Sequence, residues 1–393
     1  MRIGFLFNHD QVHQVAHILP VALALSRAGI DSEIVLAVTT QALADEVRRL
    51  GGGELAKGGI ELKTLNIGHR LRKLAVKATC GLAPTAKLLV YGDNLDFFRS
   101  LDILVVAEKT SLMLKTRYKL DRLRIIHTRH GAGDRAIGFN RKSAGFDLIL
   151  ASGEKIKERL VRDANVAKER IRVVGYPKFD ILSGDRPPFI HGNGDDRPIV
   201  LYNPHVSPHL SSWYKMGRAV LDWFVRHDEY RLIFAPHVML FHRRFVLTID
   251  KFRFDRVGLI DDRIRAASNI HVDLGSPACT DMTYTRAADI YLGDVSSQVY
   301  EFLERPRPCV FLDAHGVDWL NEPNFAHWAA GPVAREIGEL GTALIDASQN
   351  HQARFAPVQR RLFARSFDLN DTPSSERAAQ SIMDFASIAP GSR

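Results

Sequence analysis

The feature that most limits how this chain can fold is an alternation of short apolar runs with longer amphipathic stretches, starting at the first residues. Ile3 to Phe7 is strand-like, and His13 to Arg27 carries apolar residues along one side at helical spacing. Strands that alternate with helices predict βαβ units and a parallel sheet. Such sheets bind ligands at the carboxyl ends of their strands.

Two series of these strand-like runs follow each other along the chain. The first series has seven strand-like runs and predicts one doubly wound domain. These runs are 3–7, 33–38, 62–67, 103–107, 124–128, 148–151 and 171–174. The second contains a helix around 213–226 and predicts another α/β domain; its strands are 199–202, 231–235, 270–274, 290–292, 309–312 and 344–346.

The boundary between the two series is a stretch from Phe179 to Pro198 that is dense in Gly, Pro and Asp. Neither a helix interior nor a central strand accepts this composition, and 393 residues exceed one ordinary hydrophobic core. We therefore predict a doubly wound domain at 1–182, a linker at 183–197, a second domain at 198–370 and a C-terminal helix at 371–393 that crosses back to the first domain. Two such domains predict a cleft between them.

Charge and cysteine content narrow the class of protein. A net charge of +8 suits an anionic partner such as nucleic acid, anionic lipid or a polyphosphorylated substrate. Three cysteines without CxxC spacing argue against a disulfide framework and a zinc site, and favour the cytoplasm. No uninterrupted apolar run reaches about 18 residues, so we expect no membrane-spanning helix.

Basic and apolar residues mix between Arg70 and Lys87. This pattern is typical of an amphipathic helix that lies on anionic lipid, and equally of a domain helix with one solvated basic face. Aromatic residues are not interleaved with these cations, which argues against nucleic-acid binding.

The segment from Ala288 to Asp313 has the pattern strand, turn, helix, turn, strand. Its sequence is ADIYLGDVSSQVYEFLERPRPCVFLD. Asp294 is predicted to cap the helix, with Ser296 and Ser297 in its first turn, so that N–H groups and two hydroxyls converge on a phosphate. Glu301 lies one turn further along the same face, where it can accept hydrogen bonds from ribose hydroxyls. A capped helix with a surface glutamate explains the same pattern.

This segment resembles the CDP-glycerol glycerophosphotransferases of teichoic-acid synthesis, which belong to the GT-B group. The family's donor site combines a strand ending in Asp, two serines, an acidic residue, a proline and a VFLD-like strand. The corresponding residues here are Asp294, Ser296, Ser297, Glu301, Pro308 and Phe311 to Asp313. Glu301 replaces the more usual Asp, and nucleotide-sugar 2-epimerases and other GT-B enzymes carry related serine and glutamate pairs.

The segment IIHTRHGAGD, from Ile125 to Asp134, is a strand that runs into a turn. The resemblance assigns His130 as the general base, a role that suits the ordinary pKa of histidine. Arg129 stands where the family has an aromatic residue, and we assign Arg129 and Gly131 to substrate or nucleotide binding. A turn whose histidines are hydrogen-bonded internally is the structural alternative.

A third segment, IFAPHVMLFHRR, places His237 just after a strand. The family commonly has a histidine near the pyrophosphate at this strand end, in the order His-Pro, whereas this chain has Pro-His. By resemblance His237 is the second catalytic histidine, because a cationic donor there would stabilise charge on the leaving group.

The resemblance implies a GT-B enzyme with two Rossmann-like doubly wound domains, the N-terminal one for the acceptor and the C-terminal one for the nucleotide donor. It would transfer a polyol phosphate from a CDP-linked donor to a glycan or lipid-linked hydroxyl in cell-envelope synthesis, without a metal or cofactor, in the cytoplasm or on the inner face of the membrane. Two alternatives stay open: a UDP-sugar glycosyltransferase or 2-epimerase, and a non-catalytic nucleotide-binding scaffold.

Overall fold

The computed structural model describes residues 1–8, 12–29, 31–57, 59–68, 85–129, 133, 138–181, 195–242, 245–248 and 253–388. The chain divides into two compact units. The N-terminal unit comprises Met1–Ala132, Ile137–Ser183 and Arg365–Arg393, and the C-terminal unit comprises Gly133–Ala136 and Gly184–Ala364.

The N-terminal unit is built on a seven-stranded parallel sheet in the order β3-β2-β1-β4-β5-β6-β7. Its strands are Arg2–Phe7 (β1), Glu33–Val38 (β2), Glu61–Thr64 (β3), Ile103–Val106 (β4), Arg124–Thr128 (β5), Leu148–Ala151 (β6) and Ile171–Val173 (β7). The central strands are apolar on both faces, as strands covered by helices on each side must be. All seven predicted strands are present, with bounds shifted by three residues at most.

Helices cover both faces of this sheet. They are Val15–Arg27, Gln41–Lys57, Thr85–Asp93, Leu95–Arg99, Met113–Thr116, Glu154–Ala164, Lys178–Ile181 and Ser374–Ser387. The helix Ser374–Ser387 packs its apolar side, including Ile382, into the same core as Ile18 and Leu25 of the helix Val15–Arg27. The last helix of the sequence therefore completes the core of the first unit.

The turn that begins at Gly175 is the place where this C-terminal segment docks. Gly175 has φ of +84°, and a side chain there would overlap the hydroxyl of Ser374. The Tyr176 N–H donates to Ser374 Oγ at 2.9 Å, and Asp180 Oδ2 accepts the Ser375 N–H at 2.6 Å. Glycine is required here because both the backbone angle and the close approach exclude a side chain.

The C-terminal unit has a six-stranded parallel sheet in the order β12-β9-β8-β13-β14-β15 and a separate antiparallel hairpin of β10 and β11. The strands are Ile199–Asn203 (β8), Arg231–Phe234 (β9), Phe245–Thr248 (β10), Arg253–Arg256 (β11), Ile270–Val272 (β12), Ile290–Gly293 (β13), Cys309–Leu312 (β14) and Val333–Ala334 (β15). Two doubly wound parallel units of this kind confirm the predicted fold class, α/β of the Rossmann-like type.

One predicted strand is wrong: residues 344–346 belong to the helix Leu340–Gln349. The apolar run there is short, whereas Leu340, Ala343, Leu344 and Ala347 are buried at helical spacing, and that longer period decides the structure. The sheet ends instead at β15. The hairpin β10–β11 was not predicted from the sequence.

The remaining helices of the second half pack around this sheet. A π-helical turn, Trp213–Gly217, runs into the helix Arg218–Arg226, and the others are Asp262–Ala266, Thr283–Ala287, Gln298–Phe302, Leu340–Gln349 and Ala356–Ser366. Their apolar sides and the strands form one core, and the carboxyl ends of β8, β9 and β13 meet at the same edge of the sheet.

Candidate functional site

The strand order of the C-terminal unit defines where a ligand is expected. Successive strands run outward from β8 in one direction to β9 and β12, and from β13 in the other direction to β14 and β15. The point between β8 and β13 is therefore the topological switch point of the sheet. The residues that follow these strands are Pro204 and His205 after β8, and Asp294 to Ser296 after β13.

Asp294 joins the two sides of this switch point. Its carboxylate accepts the backbone N–H of His205 at 2.9 Å, the backbone N–H of Ser212 at 2.7 Å and the Ser212 hydroxyl at 2.9 Å. It also accepts the N–H of Val295 at 2.6 Å. Burial raises the pKa of Asp294, and these four donors oppose that rise because they stabilise the ionised form.

The backbone of Asp294 is held as firmly as its side chain. Its carbonyl oxygen accepts hydrogen bonds from Nε2 of His327 and Nε1 of Trp328, both at 2.8 Å. The residue is completely buried. A carboxylate that accepts this many hydrogen bonds inside the protein positions the loops around it. A role of Asp294 in ligand binding stays a prediction.

The predicted helix cap at Asp294 is wrong. The helix begins at Gln298 and has only five residues, and Asp294 bonds across to the loop after β8 instead. Ser296 is buried, with its Oγ 3.4 Å from the Gln298 N–H, whereas Ser297 is exposed. So short a helix supplies little dipole for a phosphate, and phosphate binding by the two hydroxyls stays a prediction.

Glu301 lies in this short helix and is 6% exposed. The charge of Glu301 acts on the Tyr291 hydroxyl. This hydroxyl donates to Oδ1 of Asn203 at 3.5 Å and also interacts with the side chain of Ser296. Burial first, and then the charge of Asp294, raises the pKa of Tyr291. Contact between Glu301 and a ribose stays a prediction.

Two histidines occupy matching positions on neighbouring strands. The sequence Pro-His-Val follows β8 at 204–206 and recurs after β9 at 236–238. Nδ1 of His205 accepts the N–H of Ser207 at 3.0 Å, and Nδ1 of His237 accepts the N–H of Met239 at 3.3 Å. Because Nδ1 is an acceptor in both rings, the neutral tautomer carries its proton on Nε2.

The two strand ends are tied to each other as well. The His237 N–H donates to the carbonyl of Pro204 at 3.0 Å, and the amide of Asn203 donates to the carbonyl of Ala235 at 2.6 Å. The two imidazole rings lie 5.6 Å apart between centroids, with His205 buried and His237 half-buried. The carboxyl edge of this sheet therefore holds two imidazole rings side by side.

His205 is the residue that sequence reasoning missed. The signal was present as the repeated Pro-His-Val after two consecutive strands, since neighbouring parallel strands bring their carboxyl ends together. His237, predicted from the resemblance, lies beside it. Within the described residues, no group of three or more His, Cys, Asp or Glu side chains is placed to hold a metal ion.

Of the N-terminal residues predicted for the site, only Arg129 can be placed, because His130 and Gly131 lie outside the described residues. Arg129 follows β5 and donates from Nη1 to the carbonyl of Gly138 at 2.8 Å. Its guanidinium lies 4.3 Å from the centre of the Phe139 ring. Burial, and then the charge of Arg159, lowers the pKa of Arg129 to about 10.

The basic stretch 70–87 lies almost entirely outside the described residues, and none of its side chains is described. Its attachment to a membrane surface stays a prediction. In the part of the chain that the structure covers, no helix has both the length and the apolar character needed to cross a bilayer.

Comparison with solved structures identifies the class of fold as GT-B, two Rossmann-like domains in one chain. S. aureus MnaA, solved with UDP, is 14% identical with a TM-score of 0.60, over 99% of this chain and 97% of that one. The wall teichoic acid polymerase TagF is 13% identical with a TM-score of 0.58, over 98% and 87%.

A third similar structure is the UDP-GlcNAc 2-epimerase from Methanocaldococcus jannaschii, at 14% identity and a TM-score of 0.57 over 98% of this chain and all of that one. No protein-family model and no curated protein sequence matches the chain. Identities this low establish the fold alone.

Proposed function

We propose that this protein is a GT-B enzyme whose C-terminal unit holds a nucleoside diphosphate-linked substrate. The observation that carries the proposal is the pair His205 and His237 at the carboxyl edge of the sheet, next to the switch point. Ligands of doubly wound sheets bind at such a point. Two imidazole N–H groups at fixed separation suit the oxygens of a pyrophosphate.

The finer proposal is transfer of a polyol phosphate, such as glycerol phosphate, from a CDP-linked donor to a hydroxyl acceptor. The acceptor oxygen attacks the β-phosphorus, and the bond from that phosphorus to the bridging oxygen breaks. CMP leaves with the electron pair, and the acceptor proton passes to a base, a role that the family resemblance assigns to His130. His237 would donate to the leaving phosphate. The likeness to TagF and the sequence pattern at 294–313 support this reaction.

The test is product analysis with the purified full-length chain. Given CDP-glycerol and a glycan or lipid-linked hydroxyl acceptor, the protein is expected to release CMP, and His237→Ala to release it more slowly. His227→Ala is the matched control, because His227 precedes β9 and stacks on Trp223 at 3.7 Å, away from the carboxyl edge. Absence of CMP with every CDP-polyol tried would exclude the transferase reaction.

The second candidate is a UDP-sugar 2-epimerase or glycosyltransferase. It is favoured by the likeness to the M. jannaschii epimerase and to MnaA, which was solved with UDP. Incubation with UDP-GlcNAc and a hydroxyl acceptor separates the candidates, because an epimerase forms the 2-epimer, whereas a glycosyltransferase passes the sugar to the acceptor hydroxyl and releases UDP. In a thermal-shift screen across nucleotides, stabilisation without turnover would leave the non-catalytic nucleotide-binding scaffold, and no stabilisation at all would exclude every nucleotide-binding candidate.

A further inference from the structure

Two cationic side chains meet at the carboxyl edge of the N-terminal sheet. Lys109 opens a 3-10 turn just after β4, and Arg129 directly follows the neighbouring strand β5. Lys109 Nζ and Arg129 Nη1 donate to the same acceptor, the carbonyl of Gly138, at 2.9 and 2.8 Å. Because both donate to one oxygen, Lys109 Nζ and Arg129 Nη1 are no further apart than the sum of these two distances.

Further positive charge surrounds this pair. The guanidinium of Arg159 lies 4.0 Å from the centre of the Phe139 ring, which Arg129 also contacts. Arg159 is balanced by Asp163 at 3.1 Å. Lys142 adds to the repulsion felt by Lys109. Among the described residues, no carboxylate pairs with Lys109, Arg129 or Lys142, although Lys109 also donates to the Asn140 amide oxygen at 3.2 Å.

The cluster is incompletely satisfied as well as unbalanced in charge. Nε of Arg129 is sealed from solvent and has no hydrogen-bond partner within the described part of the chain. Burial, and then the charges of Arg129 and Lys142, lowers the pKa of Lys109 to about 8. Desolvated cations without a counter-charge destabilise a fold, so such clusters are characteristic of sites that receive an anion.

We propose that Lys109 and Arg129, with Lys142 at the rim, form an anion site in the N-terminal unit that binds a phosphate group. The planar guanidinium offers paired donors to phosphate oxygens, and the ammonium supplies a second charge. The cluster belongs to the N-terminal unit and the histidine pair to the C-terminal unit, so the proposal does not depend on which nucleotide the histidine pair takes.

The test compares inorganic phosphate with chloride at equal ionic strength. Thermal shift and calorimetry are run on the full-length wild type, Arg129→Gln, Lys109→Gln and Arg122→Gln, the last being an exposed arginine of the same unit with equal charge loss. We expect phosphate to stabilise the wild type and Arg122→Gln. The two cluster variants are expected to lose about tenfold or more in phosphate affinity, as removal of a charged donor does.

Two other roles of these residues would give different results: a purely structural role, and a role in binding the nucleotide. If Arg129 only supports the fold, Arg129→Gln is destabilised equally in chloride and phosphate, and the proposal fails. If CDP or UDP affinity falls as much as phosphate affinity, the cluster belongs to the nucleotide site, which also overturns it.

Discussion

The carboxyl edges of the two sheets present different chemistry. In the C-terminal unit, Asp294 is saturated with hydrogen bonds, and the Nδ1 atoms of His205 and His237 accept backbone N–H groups. In the N-terminal unit, Lys109 and Arg129 share one carbonyl oxygen and have no carboxylate partner among the described residues.

Each edge would recognise an anion in a different way. The histidine pair offers donors whose positions are fixed before a ligand arrives, which favours orientation of a substrate. The cationic cluster offers net charge that its surroundings do not neutralise, which favours attraction of a charged group. Substitutions at the two edges are therefore expected to have separable effects.

The largest expected effect concerns chemistry assigned to the N-terminal unit. His130→Ala is expected to lower turnover by about 10²- to 10⁴-fold, because a general base contributes that much. Donor affinity is expected to stay near the wild-type value, since donor binding is assigned to the other unit. Steady-state kinetics and calorimetry with the CDP-linked donor measure both quantities. Lost affinity with normal turnover would reverse the assignment.

The next effect tests whether Asp294 organises the C-terminal edge. Asp294→Ala is expected to lower the free energy of unfolding by about 3–5 kcal/mol, because it leaves four buried donors without their acceptor. Urea denaturation measures the loss. The exposed Asp318 provides the control, whose replacement by Ala is expected to change stability by less than about 0.5 kcal/mol. A small loss at Asp294 would mean that neighbouring loops hold the edge without it.

The smallest effect is a pH dependence of the free energy of unfolding, caused by the cationic cluster of Lys109 and Arg129. The pKa of Lys109 is lowered from 10.5 to about 8, so between these values the unfolded chain binds a proton that the folded chain does not. Stability is therefore expected to rise with pH across this window. Chemical denaturation from pH 7 to 10.5, in chloride buffer, should show a steeper rise for wild type than for Lys109→Gln. Equal slopes would mean that Lys109 titrates normally.

Much of the fold followed from the sequence, because long alternation of apolar runs and amphipathic helices is governed by periodicity. The failures came where the local pattern was short. Residues 344–346 look like a strand in isolation, yet Leu340 and Ala347 extend their pattern to a helical period. The hairpin β10–β11 lies outside the parallel sheet and offered no comparable alternation.

The site was harder to predict than the fold. A polar residue after a strand can face a ligand or bond inward, and the sequence does not tell which. Asp294 bonds inward to His205 and Ser212, and the helix that it was expected to cap starts four residues later, at Gln298. His205 becomes evident only when the order of the strands brings two Pro-His-Val segments side by side.

Calorimetric titration measures whether the histidine pair binds a nucleoside diphosphate. CDP and UDP are titrated into the wild type, His205→Ala, His237→Ala and the control His227→Ala. We expect each substitution in the pair to weaken binding of the preferred nucleotide by about 10- to 100-fold, the effect of losing a hydrogen bond to a charged group. We expect His227→Ala to bind like the wild type. Wild-type affinity in both His205→Ala and His237→Ala would contradict this role of the pair.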